Sequence, residues 1–398
     1  MRTNNTGSGA QREPMPGGNE QRHGERVSAH IAAEIDAAGG WLSFEQFMEL
    51  ALYAPGLGYY SAGARKFGPS GDFVTAPEIS PLFGACVARQ CAEVLAGLRR
   101  GEILEIGAGT GRLAGDILAR LEQLGALPPR YSILEISADL RERQHRHLSD
   151  VVPHLVDRVV WLDEPPAREF DGLIVANEVL DALPVRRFRW TRAQTEELGV
   201  ARHDGRFVWA SRPAADGFAQ YCGALHAVGG AWDEGYSSEF CPRLGAWTAS
   251  MTRSLRAGAV LWFDYGLPRS QYYFPERSSG TLLCHYRQRA HDDPLQRPGL
   301  QDITAWVDFS ALAAAASAAG FRLAGFTTQT YFLAGNGIDV EMQRIAAGDP
   351  NRFAQLANQA RQLLMPGEMG ERFKAMAWMR GVELPLAGFA LRDFSGSL

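Results

Sequence analysis

The sequence predicts an α/β fold built on a mostly parallel sheet, with a helical layer before it and an inserted α+β region within it. Three observations predict this. Short apolar runs alternate with amphipathic helical patterns from Pro81 to Glu178, as strands buried on both faces require. A glycine-rich turn, "EIGAGTGRLAGDIL", joins the first such run to a helix. After Pro184 the pattern turns to polar/apolar alternation around His203-Asp204-Gly205, the mark of antiparallel ribbons.

The first 26 residues are rich in Gly, Asn, Gln and Arg, with Glu13, Glu20 and Glu25 interspersed. They carry neither a secretory h-region nor an acid-poor transit pattern, so a disordered tail and a cytoplasmic protein are expected. From Val27 to Leu52 the apolar residues Ile31, Ile35, Phe44, Phe47, Met48 and Leu52 recur at helical spacing on either side of Gly39-Gly40. This predicts a helical cover over 27–100. The cover includes a glycine-rich loop, Ala54 to Ser80, whose aromatics Tyr59, Tyr60 and Phe73 could anchor it over a ligand.

The cover ends in a helix at Pro81–Leu98, and the core follows over 101–187: strands at Glu102–Gly107, Tyr131–Ser137, Val159–Asp163 and Asp171–Glu178, and helices at Leu113–Leu124 and Ala138–His147. The insertion spans 188–257, with ribbons and then helix over 214–256. "GAVLWFDYG" restores the parallel pattern over 258–340, before a polar segment to Asp302, a helix at Phe309–Ala319 and terminal strands at Phe321–Phe332. The segment 341–398 reads as helical.

Composition limits the function. With 46% apolar residues in 398, the chain can bury a large core. A formal net charge of -5 lacks the basic excess of a general nucleic-acid binder. No stretch reaches the ~20 apolar residues of a membrane span. Cys86, Cys91, Cys222, Cys241 and Cys284 are scattered without a C-x-x-C pair, which argues against a disulfide scaffold or a zinc ribbon. Cys284-His285 is adjacent in a strand pattern, so the two side chains point to opposite faces and read as packing.

The glycine turn admits several ligands. Gly107, Gly109 and Gly111 alternate, and Arg112 stands where a dinucleotide fingerprint has its third glycine; no G-K-[ST] follows. The spacing suits an S-adenosyl group, with a dinucleotide or a plain tight turn as the other readings. Helix-start amides near Arg112 can receive a carboxylate, and Glu105 can pair with an ammonium. Glu135, closing the second strand, has two acceptor oxygens for two ribose hydroxyls. Asp163, closing the third, can approach an adenine amino group or simply face water. "NEVLDALP" brings Asn177, Glu178 and Asp181 to the end of the fourth strand; a helix starting at Val179 would place them within one turn, the alternative reading being that Asn177 or Asp181 only caps it. Asp264 in "FDYG" ends the fifth strand on the same rim.

The stretches "FMELALYAPGLGYY", "KFGPSGDFVTAPEISPLFG", "EIGAGTGRLAGDIL", "VANEVLDALPV", "FDYG" and "PGLQDITAWVDFS" together resemble the complex I assembly factor 7 family of S-adenosylmethionine-dependent methyltransferases, over about Ile31 to Gly337. The resemblance implies a Rossmann-like methyltransferase core with a substrate-facing insertion, S-adenosyl-L-methionine as cofactor and, in mitochondrial members, arginine methylation of a respiratory complex I subunit. The expected cofactor set is Glu105, Gly107, Ala108, Gly109, Gly111, Glu135, Ile136 and Asp163, with Asp72, Thr75 and Glu78 from the loop. The expected catalytic set is Glu178 and Asp181, with Asn177 orienting the acceptor and Asp264 in support. A small-molecule methyltransferase and a non-catalytic assembly protein that keeps the pocket are the alternatives.

Overall fold

The computed structural model describes residues 17–61 and 74–398. Its central sheet has eight strands, seven of them on one path. In chain order these seven are β1 (Glu102–Ile106), β2 (Tyr131–Leu134), β3 (Val159–Leu162), β4 (Phe170–Asn177), β5 (Leu255–Leu267), β6 (Arg322–Thr328) and β7 (Phe373–Arg380). They lie in the order β6-β7-β5-β4-β1-β2-β3, and the short strand Val307–Asp308 adds to the end of β5. Strands β1 to β5 pair in parallel; β7 runs antiparallel to both β5 and β6.

Alternate residues of each strand serve two cores. On one face Ile103, Leu173, Val175, Leu261 and Phe263 pack with Phe83, Val87, Ile117 and Leu118. On the other, Leu104, Ile106, Ile174, Val260 and Trp262 meet Leu244, Phe309 and Leu312. The helix Pro81–Ala96 therefore belongs to the central core, although its sequence position groups it with the cover. The reversal of strand order between β4 and β1 opens the carboxyl ends of the parallel strands, where open α/β sheets place their sites.

The cover packs elsewhere. Val27, Ile31, Phe44, Phe47 and Met48, from the helices Gly18–Ala37 and Phe44–Tyr53, bury against Val200, Cys284 and Ile303 of two smaller sheets. Leu42–Ser43 also pairs antiparallel with the ribbon strand Thr195–His203. Cover and insertion thus share one hydrophobic cluster.

Several expectations need correction. The first helix begins at Gly18, inside the segment read as a disordered tail, with the Glu20 carboxylate accepting the Gly17 amide at 3.0 Å. The insertion is not wholly helical after Ala214: Ser237–Phe240 is a strand, paired with Arg186–Trp190. The polar segment before Asp302 folds into a three-stranded sheet of Leu283–Tyr286, Arg289–His291 and Asp302–Thr304. Gln329–Gly335 is helical, capped by the Thr328 hydroxyl, where strand was expected. The C-terminal segment 341–398 is not purely helical, because it contributes β7 to the middle of the sheet. Its residues Ala375, Met376, Ala377, Trp378 and Met379 are buried on both faces, so period-2 alternation never shows.

Candidate active site

A cavity of about 440 Å³ opens at the carboxyl ends of β1 to β4. At one end its wall is the glycine turn. Gly107, Gly109 and Gly111 all have positive φ, at 67°, 55° and 86°. A Cβ on Gly107 would press on Val179 Cγ2 at 3.0 Å, so side chains there would distort the loop after β4. Gly107, Ala108 and Gly109 line the cavity; Gly111 does not. It starts the helix Arg112–Gln123 and packs against the Gln144 backbone, where a Cβ would come within 3.1 Å of Cα.

Glu105, Glu135, Ile136 and Asp163 also line this end. Glu105 is buried and accepts the Tyr131 hydroxyl at 2.7 Å; burial pushes its carboxyl up to about 7 against that hydrogen bond. Glu135 accepts the Ser137 amide at 2.9 Å and the Gln144 side-chain amide at 3.2 Å, which fixes both oxygens. Gln144 also donates to the Gly109 carbonyl at 3.0 Å, tying β2's end to the glycine turn. Ile136 presents an exposed apolar side chain, and Asp163 is an exposed carboxylate paired with Arg141. Thr75 and Glu78 line the same end, with Glu78 accepting the Thr110 hydroxyl. Asp72 and Phe73 lie outside the described residues.

The other end is built by the loop after β4. Asn177, Glu178 and Asp181 all line the cavity. No helix starts at Val179. Instead Glu178 takes a left-handed conformation, φ 53°, and the amides of Val179, Leu180 and Asp181 converge on Asp264 Oδ2 at 3.2, 2.9 and 3.3 Å. One buried carboxylate thus satisfies the donors that a helix would have left open. Asp264 is fully buried and absent from the cavity wall, so it holds the loop from behind rather than reaching the site.

Electrostatics set the loop apart. Asn177 Nδ2 donates to Glu178 Oε1 at 3.1 Å, and the Tyr265 hydroxyl donates to Asp181 Oδ2. Burial and then the neighbouring Asp181 push Glu178 up to about 8. Burial pushes Asp181 up to about 6, opposed by the Tyr265 hydrogen bond. Asn177 Oδ1 is buried without a hydrogen-bond partner among the described residues.

Sequence reasoning gave no role to Tyr53, Asp302, Gln144, Arg243, Trp247 or Met251. All but Gln144 line the cavity, and Tyr60, read only as an apolar anchor, does too. Asp302 and Tyr60 sat inside quoted motifs; their meeting, with the Tyr60 hydroxyl on Asp302 Oδ1 at 2.8 Å, spans two distant segments. Among the described residues no helix is long and apolar enough to cross a membrane.

Fold and cavity define an S-adenosylmethionine-dependent methyltransferase, and comparison with known proteins agrees. Residues 86–327 match the sequence model of an S-adenosyl-L-methionine-dependent methyltransferase family. A crystal structure from Burkholderia thailandensis, bound to S-adenosyl-homocysteine, is 44% identical and superposes with a TM-score of 0.93 over 97% of this chain and 100% of its own. The zebrafish mitochondrial protein arginine methyltransferase NDUFAF7 is 30% identical over 91% of this chain and 92% of its own length; the human protein is 29% identical over 87% and 82%. The chain belongs to this methyltransferase family, the one its motifs resemble, and S-adenosylmethionine is its methyl donor.

Proposed function

We propose that the chain methylates the guanidinium of a protein arginine, and that the acceptor protein is a subunit of respiratory complex I. The observation that carries the first part is the wall made by Asn177, Glu178 and Asp181. It offers the carboxylate oxygens of Glu178 and Asp181, with Asn177 beside them. A guanidinium is the complement of such a wall, with five N–H donors and no acceptor. The relatives named as protein arginine methyltransferases support the same reading. Complex I as the target rests on the sequence resemblance alone.

The other end fits the methyl donor. Gly107, Ala108 and Gly109 line it, with positive φ at both glycines, Glu135 is oriented through both oxygens, and buried Glu105 can meet an ammonium. We assign Glu105, Gly107, Ala108, Gly109, Glu135 and Ile136 to holding it, Asp163, Thr75 and Glu78 to its rim, and Gly111 to shaping the turn. When bound, S-adenosylmethionine supplies an electrophilic methyl group on a sulfonium.

The chain's own groups then handle the acceptor. A guanidinium keeps its charge up to pH ~12, so free deprotonation is uphill. Glu178 and Asp181 draw the positive charge toward one side and fix which nitrogen faces the donor, with Asn177 orienting that nitrogen. As the new N–C bond forms at the expense of the donor's S–CH3 bond, the proton leaves that nitrogen for whichever of the two carboxylates is ionised, Asp181 at about 6 being the one already ionised near neutrality.

Asp181→Asn should abolish transfer while S-adenosylhomocysteine still binds in calorimetry; an active variant would refute the role. Mass spectrometry of complex I subunits from cells with and without the protein tests the target. Unchanged arginine methylation there would remove that part.

A further inference from the structure

The acceptor end has a second wall, opposite in chemistry to the first. Tyr53 and Tyr60 line it with their rings stacked, centroids 5.4 Å apart and planes inclined by 22°. Both phenols are tied down. The Tyr53 hydroxyl donates to the Ala182 carbonyl at 2.9 Å, on the loop that carries Asp181. The Tyr60 hydroxyl donates to Asp302 Oδ1, and Asp302 is itself buried on the strand Asp302–Thr304. Backbone bonds fix the turn beneath, from Tyr59 and Tyr60 amides to the Ala51 and Leu52 carbonyls at 2.9 and 2.8 Å.

Charge sharpens the contrast. Glu178, Asp181 and Asp302 all line this end, while Arg243, a cation in the same wall, is already held by Glu45 and Glu49 at 2.6 and 2.5 Å. An aromatic face beside carboxylates suits a flat cation, which can stack along the ring and donate in its own plane at once; a tetrahedral ammonium can sit over a ring but has no plane to stack or to donate in.

We infer that Tyr60, with Tyr53 beside it, is the specificity-determining face that selects a guanidinium over a lysine ammonium, and that Asp302 is a positioning residue that holds the Tyr60 ring in place. This rests on the reading of the cavity as an arginine site. It adds the residues that read the acceptor's shape, separate from those that take its proton.

The test is calorimetry of the full chain saturated with S-adenosylhomocysteine, titrated with capped Gly-Arg-Gly, Gly-Lys-Gly and Gly-citrulline-Gly peptides. The wild type should bind the arginine peptide several-fold more tightly than the lysine peptide, the part of a cation–ring contact that planar stacking adds. Tyr60→Leu should bring that ratio close to one. Tyr60→Phe, which keeps the ring and loses its tether, and Asp302→Asn should give intermediate ratios, and Asp302→Glu should recover part of the loss. S-adenosylhomocysteine affinity should be unchanged in all four, a readout that general damage to the fold would move. A ratio unaltered in Tyr60→Leu, or one that falls only together with S-adenosylhomocysteine affinity, overturns the inference while leaving the arginine reading standing. A wild type that fails to prefer the arginine peptide over the lysine and citrulline peptides overturns the arginine reading itself.

Discussion

The two ends of the cavity are made in different ways. The end facing the glycine turn comes from successive strand ends of one sheet, β1, β2 and β3, each giving one or two groups as it stops: Glu105 and Gly107, Glu135, Asp163. The opposite end, proposed above to hold the acceptor, is collected from four distant segments, near Tyr53 and Tyr60, Asn177 to Pro184, Arg243 to Met251, and Asp302. A site written into one topology tolerates change around it. A site gathered from several elements depends on what fastens them, and here much of that fastening passes through buried carboxylates.

The largest effect should therefore come from Asp264→Ala. It strips the acceptor from the amides of Val179, Leu180, Asp181 and Tyr265 in a fully buried setting. Leaving such donors unmet should cost about 3 kcal/mol or more, read by urea denaturation. A loss under about 1 kcal/mol would mean that the loop is held by something else and would break the comparison.

Next comes Glu135→Gln, at the opposite end. Trading a charged acceptor for a neutral one should weaken S-adenosylhomocysteine binding roughly tenfold by calorimetry. The acceptor end should not respond, so affinity for an arginine peptide measured at saturating S-adenosylhomocysteine should stay as in the wild type. A matching drop there would show that the two ends are coupled.

A smaller effect should appear as pH dependence. Burial raises Asp181 to about 6, Glu105 and Asp116 to about 7 and Glu178 to about 8. Each binds its proton more tightly folded than unfolded, so its contribution to stability is complete below the ordinary carboxylate range and is lost as pH rises through those values. The ligand-free protein should melt at progressively lower temperature toward pH 8 on this account, and Glu178→Gln should flatten the last part of that decline. A difference between the two melting curves that does not vary with pH would refute it.

The smallest effect is expected at Asp163. Its carboxylate is exposed and paired with Arg141 at the surface, a contact of little net value in water. Asp163→Asn should change S-adenosylhomocysteine affinity by less than about twofold; a larger loss would give Asp163 a place in the site beyond its rim.

The same contrast decided what the sequence could tell. Strand and helix periods marked β1 to β5, and the alternating glycines marked the turn, because each signal is local. Even there Gly111 misled: its spacing matched its neighbours, yet its missing Cβ serves packing against Gln144 rather than the cavity. Asp264 read as a rim acid because residues at a strand end look alike until their partners are known. Tyr53 and Asp302 lie in family-like stretches yet neither was given a role, since one sits on a cover helix and the other on a short strand, far apart in sequence from the groups they meet. The strand β7 was hidden by its own burial, its Met, Ala and Trp residues filling both cores without alternation.

That strand also orders events during synthesis. β7 sits between β5 and β6, both made well before it, and pairs with β5 along eight residues from Gly258 to Tyr265. A chain emerging from the ribosome can assemble β1 to β5 early, but it then carries an open, apolar sheet edge until Arg380 has appeared. In the folded chain β7 itself closes that gap. Translation that stalls or terminates before that point would leave an edge able to join its neighbour's, which makes the last strand the safeguard of solubility for the nascent chain.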